Sequence, residues 1–398
     1  MALPEVQFDV AFATDPTAAS QTFTNVSSDS TGRQIEFTMK RGRQDELKDI
    51  EVGTLTTVLR NQDRRFDPGY TLSPYYPNVV PVRQCRLRAI YSAVTYDLFR
   101  GDIEQWPQIW NERENKVSLV ALDAFDPLAD VDLVLTRDAE LSGTRVGAVL
   151  DAAGWPAGDR TIDAGQSILE AVTDWSGNAL ELLRQIVKDE DGYLYMEGDG
   201  KVTFVNRHKR LQSPYNVAQA TFSNRPTGGE LPLSDAEVQQ DKDFVKNKIS
   251  LTQVSTDTEV VREDSTSQTR YRLRSKTEQT HVYDLNELGA KAEWYLGRLK
   301  DPLTRVKSII LEPQQNDSLW AQVLGRKIGD LIRVKVYPPQ SGTEQVIDLN
   351  CHIEYIEHRY SVGRWVTKWN LSPGSINSYW LLGDSTYGVL GSTTRLAF

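Results

Sequence analysis

Residues able to do chemistry are sparse in this chain, and few stand at spacings that chemistry uses. His352, Glu354 and His358 fall at even separations in one apolar run, so an uninterrupted strand would put all three on one face. Imidazole and carboxylate are zinc donors, but strand rise spreads the outer two too far for one ion, and the run ends in a turn. Asp189 and Asp191 open like a calcium loop. Tyr193 stands at its fifth position and the closing glutamate is misplaced, so these acids read as a helix end. Gly200-Lys201-Val202 lacks both the glycine spacing of a phosphate loop and the hydroxyl that would hold magnesium. GxGxxG, GxSxG and HExxH patterns are missing. Some pair of the many carboxylates would reach glycosidase separation by chance, and sequence does not single one out. Cys85 and Cys351 sit in apolar strand-like runs without metal-ligand spacing and read as buried free thiols. No catalytic residue, metal site or cofactor is assigned.

The elements around these residues are mostly strands. Ile35–Met39, Gly53–Leu59 and Cys85–Tyr91 alternate with period two, which suits antiparallel sheets with one wet face. Pro68-Gly69 and Ser73-Pro74 punctuate a long loop that carries Tyr70, Tyr75 and Tyr76. From about 138 to 206 the pattern turns helical. Arg145 to Ala153 forms one helix, Ile168-Leu169 with Val172 a second short amphipathic piece, and Leu180, Leu183, Ile186 and Val187 share the face of a third, capped by Ser176 or Asn178. A hairpin follows, Tyr193–Met196 and Val202–Val205 about Gly198-Asp199-Gly200. Leu285, Leu288, Ala292, Tyr295 and Leu299 recur at helical spacing, as do Leu319, Trp320, Val323 and Leu324 behind Asn316 or Asp317.

These elements define an α+β, predominantly β chain: two antiparallel barrel-like β-domains with an α+β insert between them. The expected boundaries are 1–135 for the first β-domain, 136–212 for the insert and 213–243 for a polar linker. The second β-domain takes 244–372, with a charged arm at 255–280 and helices at 285–299 and 316–325. A docking tail occupies 373–398.

The two β-domains rhyme. Gly101-Asp102-Ile103-Glu104-Gln105-Trp106 precedes Val117–Leu122, and Cys351-His352-Ile353-Glu354-Tyr355-Ile356 precedes Thr367–Leu371 at the same offset. Each reads as a β-hairpin closed by solvated residues; if each closes a similar β-domain, one chain carries two copies of a module, the alternative being that any two β-hairpins look alike. Three such chains in a ring would present six similar faces.

At 398 residues, 39% hydrophobic and 25% charged, the chain can build two or three cores. A net charge of −10 argues against a nucleic-acid binder that works by neutralising phosphates. The local clusters Lys40-Arg41-Gly42-Arg43 and Arg207-His208-Lys209-Arg210 carry no recognition motif and read as solvated strand ends or loops. No apolar run reaches transmembrane length, and Met1–Val6 lacks the character of a secretory leader, so folding in a cytosol is expected.

The segment Leu59-Arg60-Asn61-Gln62-Asp63-Arg64-Arg65-Phe66-Asp67-Pro68, then Val82–Ala89 and Tyr96–Ile103, resembles the minor tail and tail-tip hub proteins of long-tailed bacteriophages. Their pattern is an L-x-N-x-D-x-x-F-D-P strand-and-turn, a V-R-L-R-type strand and a phenylalanine-then-glycine hairpin. The residues around 146–156 and 175–204 are similar too. The resemblance implies a structural, non-enzymatic virion protein, assembled in the bacterial cytoplasm and placed at the tail tip or baseplate. Its implied form is a homotrimeric ring below the distal tail ring protein, leading to a fibre, spike or other baseplate protein. A tape-measure protein and genomic DNA in passage would be further partners, and no membrane anchor is implied.

The chain shows no peptidase or lysozyme segment, which would leave wall degradation to another chain. Nor does it show a glycine-repeat or coiled-coil tail for receptor binding. The rival function is a carbohydrate-binding or carbohydrate-active protein using exposed aromatics. A hub of a secretion or contractile-injection machine is a third reading. Candidate subunit or partner contacts are Tyr70, Tyr75, Tyr76, Trp106, Trp110, Trp365, Tyr379 and Trp380.

Overall fold

The computed structural model describes residues 3–18, 20–27, 34–111, 115–339 and 345–374. The first β-unit comprises β1 (Glu5–Val10), β2 (Thr24–Asn25), β3 (Gln34–Gly42), β4 (Glu51–Arg60), β5 (Gln84–Tyr91), β6 (Val94–Gln105), β7 (Gln108–Trp110) and β8 (Asn115–Leu122). Period-two alternation decides which side chains enter the core. In β5, Cys85, Leu87 and Ala89 are buried, while Arg86 and Arg88 turn to the other face and both reach Asp9 Oδ2 at 2.7 Å. Cys85 and Cys351 are both buried free thiols.

A first α+β insert follows helix α1 (Phe125–Ala129). It holds β9 (Asp132–Arg137), β10 (Glu140–Leu141), α2 (Ser142–Ala152), β11 (Arg160–Ile162), β12 (Ile168–Leu169), β13 (Val172–Asn178), α3 (Ala179–Glu190), β14 (Tyr193–Met196) and β15 (Val202–Val205). The Asn178 side chain caps α3 by accepting from Glu181 N, and Asp191 ends the helix in the left-handed region at φ 55°. The stretch from Ile168 to Val172, expected as a helical piece, lies instead in β12 and the start of β13. These pair with β10 and β9, and such distant partners override the local spacing.

Residues 213–243, expected as a linker, carry β16 (Thr221–Ser223), β17 (Leu231–Pro232) and β18 (Asp235–Gln239). Next come β19 (Lys248–Gln253), β20 (Glu259–Glu263), α4 (Ser265–Tyr271), β21 (Ser275–Thr280) and α5 (Leu285–Leu299). Here the expected arm is a packed unit: β19 pairs with β20 and β21, and Ile249 and Leu251 of β19 form a separate small core with Leu288, Ala292, Trp294, Tyr295 and Leu299 of α5. The chain ends its described part with β22 (Arg305–Leu311), α6 (Leu319–Gly325), β23 (Leu331–Val336), β24 (Ile347–Ser361) and β25 (Arg364–Pro373).

Strand order shows the duplication. The first unit runs β3-β4-β8-β6-β5 and the second β18-β22-β25-β24-β23, antiparallel throughout, with corresponding strands in the same chain order. Registers match at a constant offset. Ile103 faces Ala121 and Gln105 faces Val120, as Ile353 faces Leu371 and Tyr355 faces Asn370, so each ladder has its bulge at the glutamate between. Gln108 faces Val117 as His358 faces Thr367.

Neither unit closes into a barrel, contrary to the barrel-like expectation. β24 is 15 residues long; its first half pairs with β23, and its second half runs past that partner onto β3 of the first unit, with Tyr355 opposite Gly42 and Ser361 opposite Glu36. The two units therefore share one 15-stranded sheet. Gly42 permits the crossing: its φ is +109°, and a Cβ there would lie 2.3 Å from the Glu354 carbonyl oxygen.

Candidate assembly surfaces

The motif that carries the resemblance is a structural staple. Asn61, fully buried, accepts from Phe66 N at 3.0 Å and donates to Gln108 Oε1 at 2.8 Å. Gln108 Nε2 donates back to Phe66 O at 2.7 Å, and Asp67 Oδ1 accepts from Gly69 N. A buried amide with both ends paired fixes a loop firmly, because leaving either end unpaired costs its full desolvation. This staple holds Phe66 between Tyr75 and Trp106 and ties the loop to β7.

The candidate contact residues separate by location. Trp365 is fully buried where Phe37, His358, Tyr360 and Trp320 converge, so it joins the two β-units within one chain. Trp106 is buried, with its indole N–H donating to Val80 O at 2.8 Å. Tyr75 stacks on Phe12 at 4.0 Å, and Tyr70 lies half-buried under Arg64. Tyr76 and Trp110 are open to solvent, 48% and 60% exposed. Tyr379 and Trp380 lie outside the described residues.

Both basic clusters, expected to be solvated, turn inward. Arg41 is buried and donates to Met196 O at 3.2 Å. Arg43 Nε and Arg210 Nη2 each lie 2.8 Å from the fully buried Glu354, and their guanidinium groups pack on the Tyr193 ring. Tyr193 and Ser372 also donate to the Glu354 carboxylate. One acid thus joins both β-units and the insert. Burial alone would raise its pKa, but Arg210, Arg43 and these hydrogen bonds outweigh desolvation and hold it well below the usual carboxylate range. The signal available in sequence was the recurrence of Ile-Glu at a bulge, with no hint of partners.

His352, Glu354 and His358 do not form a metal site. The bulge at Glu354 breaks the even alternation; His352 Nδ1 faces Gly329 O at 3.0 Å and His358 Nδ1 faces Thr367 Oγ1 at 2.8 Å. Among the described residues no cluster of three or more metal-ligating side chains occurs.

Open strand edges among the described residues include β7 and β18. β7 pairs only with β8, and β18 pairs only with β22. No helix among the described residues is long and apolar enough to cross a membrane.

A predominantly β α+β chain with a duplicated five-strand unit, fused edge to edge and carrying two α+β inserts, defines a distinct architecture. The structure is similar to the tail protein from Neisseria meningitidis MC58, with a TM-score of 0.61 at 15% identity over 93% of this chain and 97% of that one. It is also similar to the 43 kDa tail protein of prophage MuSo2 from Shewanella oneidensis, with a TM-score of 0.57 at 12% identity over 94% and 98%. No protein-family model and no curated protein matches the chain. At these identities the likeness establishes the fold alone.

Proposed function

We propose that this chain is a structural tail-tip hub protein, three copies of which close into a ring of six alternating β-units. The observation that carries the reading is the duplication: two units with the same strand order, the same ladder registers and the same bulge, held side by side in one chain. A threefold assembly of such chains has near-sixfold outer geometry, which fits a sixfold tube on one side. The two α+β inserts follow β8 and β18 respectively, which are not corresponding strands, so they break the sixfold likeness and leave threefold contacts for the tip on the other side. In this role the ring sits below the distal tail ring, surrounds the path of exiting DNA, meets a fibre, spike or other baseplate protein, and does no covalent chemistry. Tyr70, Tyr76 and Trp110 are its candidate surface contacts.

Sedimentation equilibrium of the purified full chain tests the reading. A single species of three times the chain mass supports it; a monomer at all concentrations overturns it.

A further inference from the structure

The ladder between β24 and β3 fastens the second unit to the first within one chain. The duplication maps that seam onto β7 with the end of β6, and onto β18. By the matched registers, β7 and the end of β6 correspond to the second half of β24. Likewise Asp235, Ala236 and Glu237 of β18 correspond to Glu36, Phe37 and Thr38 of β3, as their partners on β22 and β4 show. The copies of the two strands that pair inside the chain are thus both open edges among the described residues.

We infer that β7 of one copy pairs antiparallel with β18 of a second copy, repeating between chains the seam that β24 and β3 make within one. This rests on the ring proposed above and specifies its joint. The in-chain register Tyr360–Phe37 and Arg359–Thr38 transfers to Trp110–Ala236 and Ile109–Glu237. The side chains fit these pairings. Trp110 and Ile109 are exposed large apolar residues on a strand edge, 60% and 48% exposed, and Ala236 offers the small partner over which an indole can lie.

An independent observation is electrostatic. Glu104 corresponds to Glu354 at the bulge, and Lys242 lies as many residues beyond Ala236 as Arg43 beyond Phe37, although β18 shifts register against β22 between Glu237 and Val238 on the way. Glu354 and Arg43 are paired in the chain; Glu104 and Lys242 are both exposed, and neither is in an ion pair among the described residues. The proposed joint brings them together. The two seams differ beyond Glu237, where β18 shifts register against β22 and Asp241 is extended at φ −120°, so close backbone approach is confined to the start of β18 and the ion pair is made by side-chain reach.

The test uses full-length chains carrying Trp110→Cys or Ala236→Cys, mixed and mildly oxidised, then run without reductant. Directly opposed strand residues lie within disulfide reach, and Cys85 and Cys351 are buried. The mixture should give a covalent dimer of chains absent from either variant alone. Glu104→Lys and Lys242→Glu should each shift the sedimenting species towards monomer, and the double variant should return it. Trimers that form without the cross-link, and that neither charge variant alters, overturn the joint while leaving the ring standing. A monomeric wild-type chain overturns both.

Discussion

Arg43 Nε and Glu354 Oε2 lie 2.8 Å apart where the two β-units cross, and both side chains are withdrawn from solvent. With Arg210 on the same carboxylate, two cations depend on one acid. Glu354→Ala therefore leaves two guanidinium groups without their partner in the interior. Removing one member of a buried pair costs about 3–5 kcal/mol, and urea unfolding of the variant should show a loss of that order.

Acid should loosen the same junction. Burial lowers the imidazole pKa values of His352 and His358 to about 3, so between about 3 and 6.5 the unfolded chain binds protons that the folded chain refuses. Glu354, held below its ordinary 4.5, adds the same sign beneath that value. These groups alone make stability fall as pH drops through 6.5. Asp123 and Asp102 oppose this trend, because burial raises them to about 7 and about 6 and the folded chain then binds more protons than the unfolded one. His358→Gln isolates one contribution. It should reduce the pH slope of unfolding free energy between pH 4 and 6 by about 1.4 kcal/mol per pH unit, even though the variant is less stable at pH 8.

Lys291 on α5 is buried and donates from Nζ to the carbonyl oxygens of Lys188 and Asp189, the latter at 3.1 Å. A cation at a helix C-terminus satisfies orphan carbonyls and opposes the dipole, so this lysine both caps α3 and binds the second insert to the first. Lys291→Met keeps the length and removes the donors. A loss of about 1.5–3 kcal/mol is expected, with faster amide exchange across the last turn of α3.

Local signals carried much of this fold. The capped α3, the hairpin of β14 and β15, and α5 are written in nearby residues: a cap at Asn178, glycines at a turn, apolar residues at three and four. What local pattern did not reveal was decided by distant partners. β18 has only Ala236 and Val238 as apolar residues and becomes a strand because β22 offers it an edge. The barrel-like expectation failed for the same reason, since alternation fixes which face of a strand is buried and is silent on where its far end pairs. The junction around Glu354 was hidden because its three charged members lie on segments far apart in the chain. The repeat was legible, because a bulge keeps its glutamate at the same register in both copies.

Asn61 is the residue of the family-like motif whose replacement should be felt at a distance. Its amide connects the turn at Phe66 to Gln108, the first residue of β7. Asn61→Ala removes both bonds and leaves Phe66 N–H and the Gln108 carbonyl without partners in a dry site. A cost of about 1–3 kcal/mol per unsatisfied group follows. Limited proteolysis should then cut within residues 62–80 faster than it does in the wild type. Asn61→Asp separates the two bonds: the acceptor for Phe66 N survives, whereas Gln108 loses its donor and faces a buried carboxylate. If the staple sets the position of β7 as well as the loop, Asn61→Asp should protect the loop better than Asn61→Ala yet weaken self-association as much. Equal protease resistance in both variants, with association unchanged, would show that the staple serves the loop alone.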